Sequence, residues 1–287
     1  MTTLESTGPN AQQIQYWNET AGPKWVTLQN LIDDQIRPLG RLAMQRAALR
    51  SGERVLDVGC GCGDTTVELA RLVAPEGVAT GVDISAPMLA RARQLADAQH
   101  VRARFELGDA QTHAFAAASA DVVFSRFGVM FFADATAAFA NLHRALTPGG
   151  RLAFVCWQAL PENPWMFVAL GAALQHLPPP PLPAPDAPGP FSFADPARVR
   201  GILERAGFRD VAFEDVRETL TIGAGAGLDA TVDFMLQMGP TAAALRESTD
   251  PTLMPRVVAS VREALAPYVT PQGVRMASAS WIVTARA

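Results

Sequence analysis

Two cysteines stand one residue apart among three glycines in VLDVGCGCGDTT, residues 55–66. A C-x-C pair raises metal binding, a disulfide or a thiolate nucleophile at a helix start. A structural zinc wants four N or S ligands. Cys156 is the chain's third and last thiol and has no paired His nearby in sequence, so no metal is expected. The glycines offer different chemistry. A turn built on Gly59, Gly61 and Gly63 lets a ligand lie against bare backbone, with free helical N–H groups facing its anionic parts. Asp83, some twenty residues on in GVDIS, is placed to accept hydrogen bonds from both hydroxyls of a ribose. A dinucleotide fingerprint needs G-x-G-x-x-G, but Asp64 stands where its third glycine belongs and the spacing is G-x-G-x-G. A ribose-bearing cofactor is expected, with an NAD-dependent oxidoreductase as the alternative that Asp64 opposes.

Other residues suit an acceptor molecule. The stretch SRFGVMFF sets Arg126, Phe127, Met130, Phe131 and Phe132 together. With Trp157, Trp165 and the methionines of FMLQMG they predict an apolar or aromatic pocket. Trp17 is expected in that pocket as well, and Tyr16, Trp17 and Trp25 would close over the cofactor from the N-terminal layer. Arg126 would pair a carboxylate or phenolate. Among the four histidines, His113 in GDAQTHAF is the candidate general base, because it follows a strand end. His143 falls inside a helix and is expected to be structural.

These residues need a frame, and the hydrophobic pattern predicts one. Residues 10–50 have helical spacing, with Leu28, Leu31, Ile32, Ile36, Leu39 and Leu42 on one face. Short apolar strands then alternate with helices, which predicts βαβ units and a parallel sheet covered on both faces. The expected strands are 54–58, 78–83, 104–107, 120–125 and 151–157. The expected helices are 65–73, 86–98 and 135–146. Thr65-x-x-Glu68 fits a capping box, and TPGG (147–150) marks the stop before the fifth strand. A Pro-rich lid is expected over 158–194, then a helix with Asp195 as N-cap, Pro196 in its first turn and Gly207 at its end, and a strand at 211–216. Residues 223–272 are expected as an inserted helical cap and 273–287 as a final strand pairing antiparallel. The whole is expected as one domain, with 51–157 as its cofactor-binding core.

With VLDVG before the loop and GVDIS after it, the chain resembles the class I S-adenosylmethionine-dependent methyltransferases. It looks most like their small-molecule type 11 group, which includes ubiquinone and menaquinone C-methyltransferases. The resemblance runs over roughly residues 50–157, through GVDISAPMLARAR, GDAQ, DVVFSRFGVMFF and LTPGGRLAFVCW. It implies a Rossmann-like α/β fold whose seven-stranded, mostly parallel sheet has its last strand antiparallel. It also implies S-adenosyl-L-methionine as cofactor and methyl transfer to an apolar or aromatic small molecule, quinone-like or phenolic. Carried over, Asp57, Gly59, Gly61 and Gly63 would surround the methionine moiety, with Cys60 and Cys62 as compact fillers. Asp83 would hold the ribose, Ile84 and Met88 flank the adenine, and Asp109 and Ala110 meet its amino edge. Ser125 and Arg126 would face the methionine end. A methyltransferase-like protein that binds the cofactor without transferring its methyl group is the further alternative.

Composition narrows the partners. A formal net charge of -4 and no Lys/Arg run leave no basic footprint, so a nucleic-acid substrate is not expected. The first residues lack a basic region followed by an apolar stretch, and no run is long enough to span a membrane. An odd number of cysteines in a long chain suits a reducing compartment, so a cytoplasmic protein is expected. Exposed cap helices are compatible with a homodimer.

Overall fold

The computed structural model describes residues 3–178, 184, 187–246, 250 and 252–287. Among the described residues eight strands form: β1 (Arg54–Val58), β2 (Val78–Asp83), β3 (Arg104–Leu107), β4 (Ala120–Arg126), β5 (Leu146–Trp157), β6 (Arg209–Thr221), β7 (Val269–Thr270) and β8 (Gly273–Arg286). Seven of them order as β3-β2-β1-β4-β5-β8-β6, and β7 pairs with β8 off that path. Strands β1 to β5 pair in parallel, whereas β8 runs antiparallel to both β5 and β6. The two-residue β7 is the addition to the expected seven strands. The central strands are near-continuously apolar because helices cover both faces, and Val122, Val123, Phe124, Phe154 and Val155 are fully buried.

The helices are α1 (Ala11–Gln15), α2 (Ala21–Ala47), α3 (Asp64–Val73), α4 (Ala86–Ala98), α5 (Ala135–Ala145) and α6 (Pro164–Ala173). They continue as α7 (Pro196–Arg205), α8 (Leu228–Gln237), α9 (Gly239–Arg246) and α10 (Leu253–Leu265), and a π-helical turn at Tyr16–Thr20 joins α1 to α2. Helix α7 starts as expected, with Asp195 accepting the Ala197 N–H at 2.9 Å. Helix α3 does not. Gly63 is its N-cap, and the Thr65 hydroxyl turns inward to Asp57 instead of closing a capping box.

Three further boundaries differ. Thr147–Gly150 are drawn into β5, so α5 ends at Ala145 with no separate stop. β6 is 13 residues long because it follows β8 nearly to its start. The segment expected as a lid contains α6, an apolar helix on all sides that has no periodicity to betray it. The prolines at 179–183, with 185–186, lie outside the described residues. Among those described, no helix is long and apolar enough to cross a membrane.

Strand order reverses between β1 and β4, and open α/β sheets bind ligands at such a switch point, outside the carboxyl ends of the strands. Here the two ends crowd together. A Cβ on Gly128 would lie 2.6 Å from the Val58 carbonyl oxygen and 2.8 Å from Gly59 Cα.

Candidate functional site

The loop after β1 turns through left-handed backbone at Gly59 (φ 67°), Gly61 (φ 55°) and Gly63 (φ 88°), a region that L side chains adopt at a cost. Asp83, at the end of β2, holds this turn. One carboxylate oxygen accepts the Gly61 N–H at 2.8 Å, and the other accepts the Ser85 N–H at 2.8 Å. Each oxygen keeps a second lone pair for another donor. Burial pushes the Asp83 carboxyl up, against the lowering pull of those backbone donors.

Beneath the loop Asp57 is fully buried. Its Oδ2 accepts the Thr65 and Thr66 hydroxyls at 2.7 and 2.6 Å, while Oδ1 has no partner among the described residues. Burial pushes this carboxyl up to about 6. The cysteines are free, buried thiols. Burial drives Cys60 well above the ordinary thiol range and Cys62 to about 12, the reverse of an activated nucleophile. A Cβ on Gly81 would meet Cys60 Sγ at 2.7 Å, so Cys60 fills the space that Gly81 leaves.

Above the loop opens a cavity of about 570 Å³, within the usual range of roughly 300–1,000 Å³ for small-molecule sites. Gly59, Cys60, Gly61, Asp83, Ile84, Met88, Asp109 and Ala110 form one part of its wall. Trp17, Arg126, Phe127, Met130, Phe131 and Trp157 form another. Asp57, Gly63, Ser125 and His113 do not line it. Gly63 is packed against Ala92, and the Ser125 hydroxyl spans from the Val58 carbonyl at 2.7 Å to the Gly128 N–H at 3.1 Å, bracing the two strand ends. His113 faces Glu106 (3.4 Å) and lies 4.6 Å from the Phe115 ring, away from the cavity.

Arg126 lines the cavity but its charge is already met. Its guanidinium bonds Asp33 at 2.7 Å and Asp64 at 2.9 Å, all three side chains being largely buried. Gly40 leaves room for its stem, since a Cβ there would lie 2.8 Å from Arg126 Cδ. Arg126 therefore ties α2 to the start of α3, with both partners supplied by the chain, and this replaces its expected pairing with a substrate anion.

The chain's first turns complete the site. Asn10 donates to both Asp109 oxygens at 2.9 Å and accepts the Ala133 N–H at 2.8 Å. Asn18 donates to the Ile84 carbonyl at 2.9 Å and accepts the Ala86 N–H at 2.9 Å, and Ser85 donates to the Trp17 carbonyl at 2.8 Å. Neither asparagine stands out in sequence, because a polar residue before a helix reads as an ordinary cap. The aromatic end is ordered by contact: Phe127 stacks on Trp157 at 4.1 Å with 13° between planes, and Trp165 leans on Trp157 at 5.3 Å. Phe127 has φ 61°, rare for a bulky residue; such outliers cluster at ligand sites.

Comparison with known proteins matches residues 55–150 to a family described as "Methyltransferase domain". A demethylmenaquinone methyltransferase of Deinococcus radiodurans is 39% identical over 142 residues, which is 49% of this chain and 58% of that protein. An aklanonic acid methyltransferase of a Streptomyces species is 36% identical over 148 residues, 49% of this chain and 67% of that protein. The chain belongs to the S-adenosylmethionine-dependent methyltransferases. Its sheet agrees with that of the YcgJ protein from Bacillus subtilis, with a TM-score of 0.54 at 18% identity over 86% of this chain and 97% of that one. In this chain the matched stretch holds the glycine loop, Asp83, Asp109 and Arg126. Asn10, Asn18, Trp17 and Trp165 lie outside it, as does most of the aromatic closure.

Proposed function

We propose that the chain binds S-adenosyl-L-methionine on the glycine loop and transfers its methyl group to an oxygenated aromatic small molecule. The observation that carries this reading is the continuity of one cavity from Gly61 and Asp83 to the stacked Phe127 and Trp157 rings. The loop suits the cofactor on its own evidence. Left-handed glycines keep side chains off the backbone, and the Asp83 oxygens each have acceptor capacity left for a ribose hydroxyl. Ile84 and Met88 would flank the adenine, with Asp109 and Ala110 at its edge. Asp57 supports the loop from beneath, through Thr65 and Thr66, and does not reach the cavity.

When bound, the cofactor supplies an electrophilic methyl carbon on a sulfonium. The chain's part is to hold the acceptor in line and to exclude water. Phe127, Trp157 and Met130 would fix the plane of an aromatic ring, and Trp17 with Phe131, whose rings meet edge to face at 5.3 Å, would close the opposite side. No His lines the cavity among the described residues. An acceptor whose O–H or C–H is acidic enough to ionise near neutral pH fits such a wall, since it needs no strong base. The relatives named for a quinone and for aklanonic acid support the same class.

Calorimetry with S-adenosylmethionine should show binding, and mass spectrometry should find a methylated product and S-adenosylhomocysteine when phenols and quinols are screened. Absence of cofactor binding would overturn the reading, and binding without turnover on any member would overturn the transfer.

A further inference from the structure

Most charged side chains in the cavity wall are answered within the chain. Asp33 and Arg126 bond each other, Asp83 accepts the Gly61 and Ser85 N–H groups, and Asp109 accepts the Asn10 amide. Lys24 and Arg246 also line the cavity, both are exposed, and neither forms an ion pair among the described residues. Arg246 ends α9, and its guanidinium carbon lies 5.6 Å from the centre of the Tyr16 ring. One of its N–H groups donates to the Tyr16 hydroxyl at 3.4 Å, a contact between residues 230 apart that sets the charge where α9 meets the N-terminal layer. Tyr16, Thr20 and Lys24 recur every four residues on continuous helical backbone and all line the cavity, which puts Lys24 on the same helical face as Tyr16. Helix α9 packs on α6, whose Trp165 leans on Trp157, so Arg246 belongs to the aromatic end and not to the glycine loop.

We infer that the acceptor carries a carboxylate, which Arg246 holds at the cavity rim while Lys24 adds to the positive field. This rests on the reading of the cavity as an acceptor site. A single exposed cation is ordinary surface. Two on one cavity, with every acid of its wall already engaged, leave a positive end on a pocket otherwise walled there by Phe234, Met238 and Pro240. Arginine suits the task because its planar fork has five N–H donors, and the Tyr16 contact uses one of them. The neighbouring ring also restrains the guanidinium in advance, which lowers the ordering cost of binding. The acceptor is then a flat, apolar frame with one negatively charged end.

The test uses the full chain saturated with S-adenosylhomocysteine and two probes of one shape, 6-hydroxy-2-naphthoate and the neutral 6-hydroxy-2-naphthamide. Calorimetry on the wild type at neutral pH and low salt should show the carboxylate binding about five- to tenfold more tightly than the amide. High salt should shrink that advantage. Arg246→Gln should erase it and leave the amide affinity unchanged, Arg246→Lys should keep part of it, and Lys24→Gln should reduce it. No preference in the wild type, or one that survives Arg246→Gln, overturns the inference. So does an Arg246→Gln variant that weakens both probes equally, since Arg246 would then serve only to prop Tyr16. If Arg246→Gln weakened S-adenosylhomocysteine but spared 5′-methylthioadenosine, which lacks the amino-acid end, the anion would be the cofactor's own and the inference would fall. Binding of neither probe to the wild type would instead overturn the reading of the cavity as an acceptor site, and failure of S-adenosylhomocysteine to bind would overturn the cofactor reading.

Discussion

Asp83→Ala separates the two tasks that the structure gives this carboxylate. Its oxygens already accept the Gly61 and Ser85 N–H groups at 2.8 Å, one each, so a ribose would use the remaining lone pairs. A hydrogen bond to a charged acceptor contributes about 1.5–3 kcal/mol, and two give about 3–6 kcal/mol, or roughly 10²- to 10⁴-fold in Kd. The same substitution releases two loop donors, which weakens every ligand of the loop. The two effects are told apart by comparing 5′-methylthioadenosine with its 2′,3′-dideoxy counterpart in calorimetry. The wild type should prefer the ribose compound by about 100-fold or more, and Asp83→Ala should bind both almost equally. A loosened loop would lower both affinities and leave their ratio unchanged, so an unchanged ratio refutes the assignment of Asp83 to the ribose.

Replacing Cys60 and Cys62 together with Ala should change cofactor affinity by less than about threefold, since both thiols are raised and inert; mass spectrometry after iodoacetamide at pH 7.5 should find neither alkylated in the native wild type. Asp57 titrates near 6 when folded against an ordinary 3.8, so the folded state holds a proton that the unfolded chain has released. Its stabilising contribution is complete below pH 3.8 and is lost as pH rises through 6, by about 3 kcal/mol at 1.36 kcal/mol per unit. About 1 kcal/mol of this is already gone at pH 4.5, so the stability difference between wild type and Asp57→Asn, from urea unfolding at pH 4.5 and 7.5, should shift by about 2 kcal/mol, and a flat difference would contradict it. Arg126→Met strands Asp33 without its partner and should cost about 3–5 kcal/mol. Adding Asp33→Leu should recover part of that in thermal melts.

The parts of the fold legible in sequence are those where local chemistry and tertiary context agree. β1, β2, β3 and α4 fall where the apolar pattern put them, because each alternates with a turn that announces itself. The turn on Gly59, Gly61 and Gly63 was legible because glycine alone adopts left-handed backbone at little cost, whereas the bond from the Gly61 N–H to Asp83 joins residues 22 apart and was not foreseen. Helix α6 was hidden because it is apolar on every side, the exposed Phe167 included, which erases the helical period. Arg126 pointed to a ligand because the two carboxylates that meet it, Asp33 and Asp64, are distant along the chain. Only folding brings them within 3 Å of its guanidinium. His113 went astray for the opposite reason: it follows the right strand end, but β3 lies at the sheet's edge and the side chain turns to Glu106 on that same strand.

The same division separates what relatives share from what distinguishes this chain. Residues 55–150 supply the loop, its clamp and the switch point, and they need nothing beyond βαβ geometry to do so. Phe127, Met130 and Phe131 of that stretch also line the cavity, and the rest of the wall that would meet an acceptor comes from elsewhere: α2 and the π-helical turn, Trp157, α6 and α9. Asn10, Asn18 and Ser85 join the first of these to the cofactor rim through hydrogen bonds that span 66 or more residues of sequence. Such bonds fix where Tyr16 and Trp17 lie relative to Asp83 and Asp109. A cofactor seated at that rim would stabilise the N-terminal layer, and the layer shapes the acceptor pocket.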